Sequence, residues 1–170
     1  MGEGDEIQWY KPAKRAIVPL ESFHISRSLA RTLRRGRFEV TFDRDFAAVM
    51  DACAERESTW ITGKIKRAYL DLHNEGNAHS VEVWVDGNLA GGLYGVHLGA
   101  AFFAESKFHK VTDMSKVALA SLVERLRAQR FELLEVQYLT EHLEQFGTIE
   151  IPHREYFQIL NSAIRASVVF

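Results

Sequence analysis

HSVEVWVDGNLAGGLYGVHLGAAFFAES, residues His79 to Ser106, decides the fold. Val81, Val83 and Val85 alternate against Glu82 and Trp84, the two-residue period of a β-strand. Asp86-Gly87 is a dipeptide that accepts positive φ, so it predicts a tight first hairpin. Leu98-Gly99 predicts a second turn, and the whole stretch becomes three antiparallel strands. One residue sits awkwardly in it. Glu105 ends an otherwise apolar run, and an unpartnered buried carboxylate is costly. It stands either at a solvated strand end or in a site.

Downstream, Thr112 or Asp113 is placed to cap a long helix with Leu119, Leu122, Val123 and Leu126 on one face. FELLEVQYL (Phe131–Leu139) is almost continuously apolar, which predicts a central strand covered on both faces. A short helix over Glu141–Phe146 and a strand TIEI follow. Pro152 then opens a last helix at the first position proline favours. Upstream, a helix from Ser26 to Arg35 ends at Gly36, and RFEVTF (Arg37–Phe42) alternates as a strand. Asp43 is placed to cap a helix carrying Phe46, Val49, Met50 and Cys53. Another helix covers Gly63–Asn74 with Ile65, Tyr69 and Leu72 on one face, stopped by Gly76. Residues 1 to about 20, broken by Pro12 and Pro19, are expected to be irregular. Helices, then β-β-β-α-β-α-β-α, make an α+β layer arrangement on a mixed, mostly antiparallel sheet flanked by helices. This is the pattern of the GNAT-type acetyltransferase-like fold.

The totals exclude several classes. The chain has 170 residues, is 46% hydrophobic and has a formal net charge of −2. That supports one good core and gives no global affinity for nucleic acid. A single cysteine, Cys53, cannot build a disulfide framework or a cysteine-based zinc site alone. The first eight residues have no signal-peptide character, and no apolar run approaches the roughly 20 residues that span a bilayer. A cytoplasmic setting is the expectation. Charge is nevertheless uneven. Ser22 to Phe38 contains no acidic residue, and Arg27, Arg31, Arg34 and Arg35 recur at i, i+4, i+7 and i+8, one face of a helix. That face is either simply solvated or a phosphate-contacting stripe.

Candidate chemistry is sparse. The seven histidines form no HxxxH or HExxH pair, so a metal site has no motif behind it. There is no GxSxG elbow, and Cys53 lies on an apolar helix face. Acyl transfer from coenzyme A would need a glycine-rich turn to cradle pyrophosphate, whereas FHKVTDMSK (Phe108–Lys116) has no glycine. Glu135 and Gln137 are two apart and point to one face of an apolar strand, and Glu105 can reach the same cavity. Polar groups there point to a site.

Several segments together resemble one family. HISRSLARTLRR, TWIT, NAHSVEVW, GGLYGV, AES ahead of Phe108, and VQYLTEHL followed by IP are similar to the bacterial leucyl/phenylalanyl-tRNA–protein transferases. The resemblance runs in order from about Trp9 to Leu160. It implies a GNAT/FemX-type fold and aminoacyl-tRNA as co-substrate with no further cofactor. It also implies transfer of Leu or Phe to proteins beginning with Arg or Lys, as an N-degron tag. Gln137 and its acidic partner Glu135 would assist deprotonation of the incoming amine. Trp60 would stack on the terminal adenine. Leu93, Phe102, Ala104, Lys107, Leu122, Leu126 and Leu134 match the aminoacyl side-chain pocket, beside Ser106. Glu105 would complete an acidic cavity for a cationic N-terminal residue, and Arg27, Arg31, Arg34 and Arg35 would hold the acceptor stem. The chain would be a monomer, with residues 1–22 the remnant of a small N-terminal domain and residues 23–170 the aminoacyltransferase domain. It departs from the family pattern at Glu135 (Asp), Lys107 (Met), His109 (Ser) and Ala104 (Gly). Trp9 or Tyr10 is the candidate for a second stacking aromatic. Two other readings stay open: a non-catalytic tRNA or N-degron binder, and an acyl-coenzyme A-dependent N-acyltransferase.

Overall fold

The computed structural model describes residues 12–56 and 59–170, and the backbone of residues 2–3 and 6–7. Two very short strands, β1 (Gly2–Glu3) and β2 (Glu6–Ile7), pair with each other antiparallel. The main sheet has seven strands in the order β4-β5-β6-β7-β8-β3-β9. These are β3 (Lys14–Ile17), β4 (Glu39–Phe42), β5 (Ala78–Val85), β6 (Asn88–Leu98), β7 (Ala101–His109), β8 (Leu133–Gln137) and β9 (Ile149–Pro152). Every neighbouring pair is antiparallel except β7 and β8. A parallel pair needs a crossover, and α4 (Met114–Ala128) supplies it. The result is the acetyltransferase-like α+β arrangement expected from the element order.

The hairpin turns follow from local chemistry. Asp86 and Gly87 sit at φ 49° and 76°, the positive pair of a tight hairpin. Helix α1 (Arg27–Arg35) is capped by Ser26, whose hydroxyl accepts the Leu29 N–H, and closed by Gly36 at φ 58°. Helix α3 (Gly63–Asn74) is capped by Thr62. Helix α2 (Phe46–Ala54) departs from expectation: its cap is Asp45, which accepts the Ala48 N–H at 3.0 Å. Asp43 instead takes φ 58° and turns its carboxylate to the Ser80 N–H at 2.8 Å and His79 Nδ1 at 2.7 Å.

The second correction concerns residues 14–17. They are not irregular but form β3, inserted between β8 and β9 and hydrogen-bonded to both. Two prolines hide this strand in the sequence: Pro12 and Pro19 bracket KRAI without entering it. Helix α4 packs on β5 and β6, and α2 packs on β5, β6 and β7. One core cluster therefore joins Val81, Leu93 and Phe102 to α4, and another joins Tyr94 and Phe108 to α2. A third, with Ile17, Leu133 and Tyr156, lies under α6 (His153–Ala163). The centre of the sheet is covered on both sides, which leaves its ends and its seams for chemistry.

Candidate active site

The seam is between β7 and β8. They stay in parallel register only through Ala101–Leu133, Phe102–Leu134 and Phe103–Glu135, and beyond that no backbone pairing joins them. The cause lies in β7. Tyr94 faces Ser106 and Gly95 faces Ala104, so Glu105 is the extra residue of a β-bulge. A bulge bends its strand and re-aims the inserted side chain. Gly95 makes the bend possible, since a Cβ there would run into the Phe103 carbonyl and the Phe102 ring.

On the facing strand, Gln137 takes φ 65°. For a residue with a Cβ this left-handed conformation costs roughly 1–2 kcal/mol. It ends the pleat of β8 and directs the Gln137 side chain to the seam. Its carboxamide nitrogen donates to Glu105 Oε2 at 2.8 Å, bridging the two parted strands. The acid paired with the Gln137 side chain is thus Glu105. Glu135 is engaged elsewhere: it is 3% exposed and accepts from Arg15 Nη1 at 3.0 Å. Arg15 also lies over the Tyr156 ring, 5.2 Å from its centroid. The pair spans 120 residues of sequence, from β3 to β8.

Burial sets the electrostatics. It pushes the Glu105 carboxyl up to about 7, helped by the nearby Glu135 carboxylate and opposed by Tyr69 and Gln137. Burial also raises Glu135, against the pull of Arg15 and the Gln137 backbone N–H. The Tyr69 hydroxyl is driven well above its usual value by burial and by Glu105. Tyr94, on the strand opposite the bulge, keeps a buried hydroxyl with no partner among the described residues. A carboxyl near neutrality beside a fixed carboxamide can take or release a proton at physiological pH.

The other expected residues are distributed around this centre. A cleft of about 560 Å³ borders the bulge and is lined in part by Glu105, Ser106 and Lys107. Ser106 Oγ accepts from Arg56 at 3.4 Å, and burial lowers the Lys107 ammonium to about 8. Trp60 is half-buried with its ring edge-on to Tyr69, at 6.4 Å between centroids. It reaches the centre through Tyr69 and does not line the cleft. Leu93, Phe102, Leu122, Leu126 and Leu134 are sealed in the main core, with Ala104 packed against it. None of these six borders the cleft. Arg27, Arg31, Arg34 and Arg35 are all exposed on α1, and none has an ion-pair partner among the described residues. Trp9 and Tyr10 lie outside the described residues. Burial raises the Cys53 thiol to about 11, far from a nucleophile's range.

Sequence reasoning missed Arg15 and Tyr69 as parts of the site. Tyr69 stood on an apolar helix face and counted as core. Arg15 was hidden with its strand, because Pro12 and Pro19 bracket KRAI and four residues are too few to show a period.

Comparison with known proteins places the chain in a family. The family model for leucyl/phenylalanyl-tRNA protein transferase matches residues 17–161, a span that takes in Trp60, the bulge and Gln137. The leucyl/phenylalanyl-tRNA–protein transferase of Ruegeria pomeroyi is 52% identical over 165 residues, covering 97% of this chain and 79% of that protein. That of Herpetosiphon aurantiacus is 52% identical over 171 residues, covering 100% and 90%. Among solved structures, L-PGS from Bacillus licheniformis superposes with a TM-score of 0.52 at 14% identity, over 79% of this chain and 50% of that one. This last likeness is one of fold alone. With half its residues shared along nearly the whole chain, and the matched span enclosing the bulged seam, the chain belongs to the leucyl/phenylalanyl-tRNA–protein transferase family.

Proposed function

We propose that the protein transfers an apolar amino acid, leucine or phenylalanine, from aminoacyl-tRNA to the α-amino group of proteins beginning with Arg or Lys. The observation that carries this reading is the Gln137–Glu105 hydrogen bond across the parted strands, at 2.8 Å, in a chain of this family. The α-amino nitrogen attacks the ester carbonyl carbon. A C–N bond forms, the C–O bond to the ribose breaks, and the ribose hydroxyl takes up a proton. The ester is already activated, so the protein supplies mainly position and a proton path. With its nitrogen committed to Glu105, the Gln137 carboxamide turns its oxygen to the incoming amine and accepts one of its hydrogens. Glu105, once ionised, attracts the cationic first side chain of the acceptor and takes the surplus proton. Glu135, held by Arg15, keeps a second negative charge close by. Trp60 stacks on the terminal adenine through Tyr69's side of the site. Exposed Arg27, Arg31, Arg34 and Arg35 hold the acceptor stem through phosphates, which fixes position without reading sequence. No described helix is long and apolar enough to cross a membrane. The protein works in the cytoplasm as a monomer, its transferase domain taking in β3 as well as residues 23–170.

The test is transfer from leucyl-, phenylalanyl- and methionyl-tRNA to an Arg-starting peptide by the purified protein. Transfer of at least one group, lowered about 100-fold by Gln137→Ala, is expected. Absence of transfer from all three donors, or an unimpaired Gln137→Ala variant, overturns the reading. Salt-dependent tRNA binding without turnover would leave a binding protein instead.

A further inference from the structure

The cleft beside the bulge is lined by two carboxylates, Glu105 and Glu55, and by Lys107, His109, Lys110, Ser115 and His142. Most cations near it are already committed. Lys110 pairs with Glu55 at 3.1 Å, and Lys116 pairs with Asp113 at 2.9 Å. Arg56 gives its Nη2 to the Lys107 carbonyl at 2.7 Å and to Ser106 Oγ at 3.4 Å. Lys107 differs. Its ammonium is half-buried, lines the cleft, and has no carboxylate within ion-pair distance among the described residues.

Leaving a cation there without an anion is costly, and its surroundings do not relieve it. His142 is held below its usual imidazole value by burial and by the positive charges of Lys107, Lys116 and His109. The Ser115 hydroxyl lies 3.5 Å from His109 Nδ1 and adds a further donor. An ammonium, two imidazoles and a hydroxyl around one concavity form a donor set for an oxyanion. They are poorly suited to an aliphatic side chain. The apolar residues that could have built an aliphatic pocket are sealed beneath. Glu105 repels an anion and Glu55 is taken up by Lys110, so the oxyanion belongs at the Lys107–His142 corner.

Resting on the function proposed above, we propose that this corner is a phosphate subsite in which Lys107 takes the phosphodiester next to the 3′-terminal nucleoside of the aminoacyl-tRNA. The donor is then held at two points, the stem phosphates by α1 and the last phosphodiester by Lys107. Glu105 and Gln137 are left to face the amine. A carboxylate on an acidic aminoacyl side chain has related chemistry, and the test separates the two.

The probes are non-hydrolysable phenylalanyl-amide analogues of a cytidylyl-adenosine dinucleotide. One carries the natural phosphodiester and the other an uncharged methylphosphonate at the same linkage. Binding is measured by calorimetry, without turnover. The wild-type protein is expected to bind the charged probe at least about tenfold more tightly, the scale of a hydrogen bond to a charged group. Lys107→Met removes the preference and Lys107→Arg retains most of it. The Lys107→Met protein should melt no lower than wild type, since it loses only an uncompensated charge. Equal binding of the two probes by wild type, or a preference that survives Lys107→Met, overturns the proposal. So does a Lys107-dependent preference for an aspartyl- over a leucyl-adenosine analogue. Charge-dependent binding with no transfer would sink the proposed reaction and leave the subsite standing. Transfer with no charge dependence does the reverse.

Discussion

Glu82 on β5 and Glu105 on β7 are glutamates of one sheet, both taken from water, and they are treated in opposite ways. Glu82 is fully buried and accepts from Thr41 at 2.7 Å, from Ser80 at 2.5 Å, and from the backbone N–H groups of Arg44 and Asp45 at 3.4 Å. Each oxygen has partners, one from β5 itself and the others from β4 and the start of α2, and the carboxylate ties these three elements together. Glu105 has only the Gln137 carboxamide and the Tyr69 hydroxyl as side-chain donors among the described residues, and a second carboxylate nearby raises its proton affinity. A buried charge with a full set of donors is structural. One left short of donors, at a bulge beside a cleft, remains able to exchange a proton or meet a cation.

Four substitutions break or sharpen that contrast. The largest effect is expected from Glu82→Ala, which leaves two hydroxyls and two N–H groups without their acceptor. Urea unfolding should show a loss of about 3–5 kcal/mol, while the protein that remains folded keeps its transfer rate. Glu105→Gln should reverse the pattern. It costs about 100-fold in kcat/KM on an Arg-starting peptide and little or no stability. The pH profile supplies the check. Because the folded carboxyl titrates near 7 rather than its usual 4.5, Glu105 favours the folded state at low pH and loses that contribution as pH rises from 4.5 through about 7. Activity runs the other way, rising with ionisation up to about pH 7 and levelling above it. The Glu105→Gln variant should show neither dependence.

Arg15→Met is expected to act more gently on rate, about tenfold, and to leave a distinct signature. Without its guanidinium Glu135 holds its proton more tightly, so the charge that raises Glu105 is weakened. The acid limb of the activity profile should then move to lower pH. A profile that falls in height without shifting would mean that Arg15 serves the fold alone. The smallest effect is expected on the exposed surface. Arg31→Ala should weaken tRNA binding a few-fold for every tRNA sequence and reduce the salt slope by about one. A change confined to one tRNA would argue against a phosphate contact.

Much of the scaffold was legible in the chain. The hairpin at Asp86-Gly87, the capped helix Arg27–Arg35 and the central position of β8 each rest on signals within a few residues: positive-φ turn dipeptides, cap hydroxyls, apolar periodicity. Glu105, Glu135 and Gln137 were also visible as polar residues in apolar strands. Their partners were not. Glu135 and Gln137 are two apart and share a strand face, and the family resemblance implied a pair, yet the left-handed turn at Gln137 hands its side chain to Glu105, and Arg15 takes Glu135 from a strand that two prolines concealed. Asp43 was the expected cap of α2, and His79 and Ser80 on a neighbouring strand drew its carboxylate away and left the cap to Asp45.

From α1 onward the sequence by itself determined the element types and the turns, and along the chain the membership of the family, because these depend on local propensity and on shared residues. Only the tertiary structure decided that β3 lies between β8 and β9, that Glu105 is the bulged residue, and which carboxylate each polar side chain meets. Those outcomes depend on strand register and on contacts across 32 and 120 residues. A one-residue shift in pairing would turn every such side chain to the opposite face.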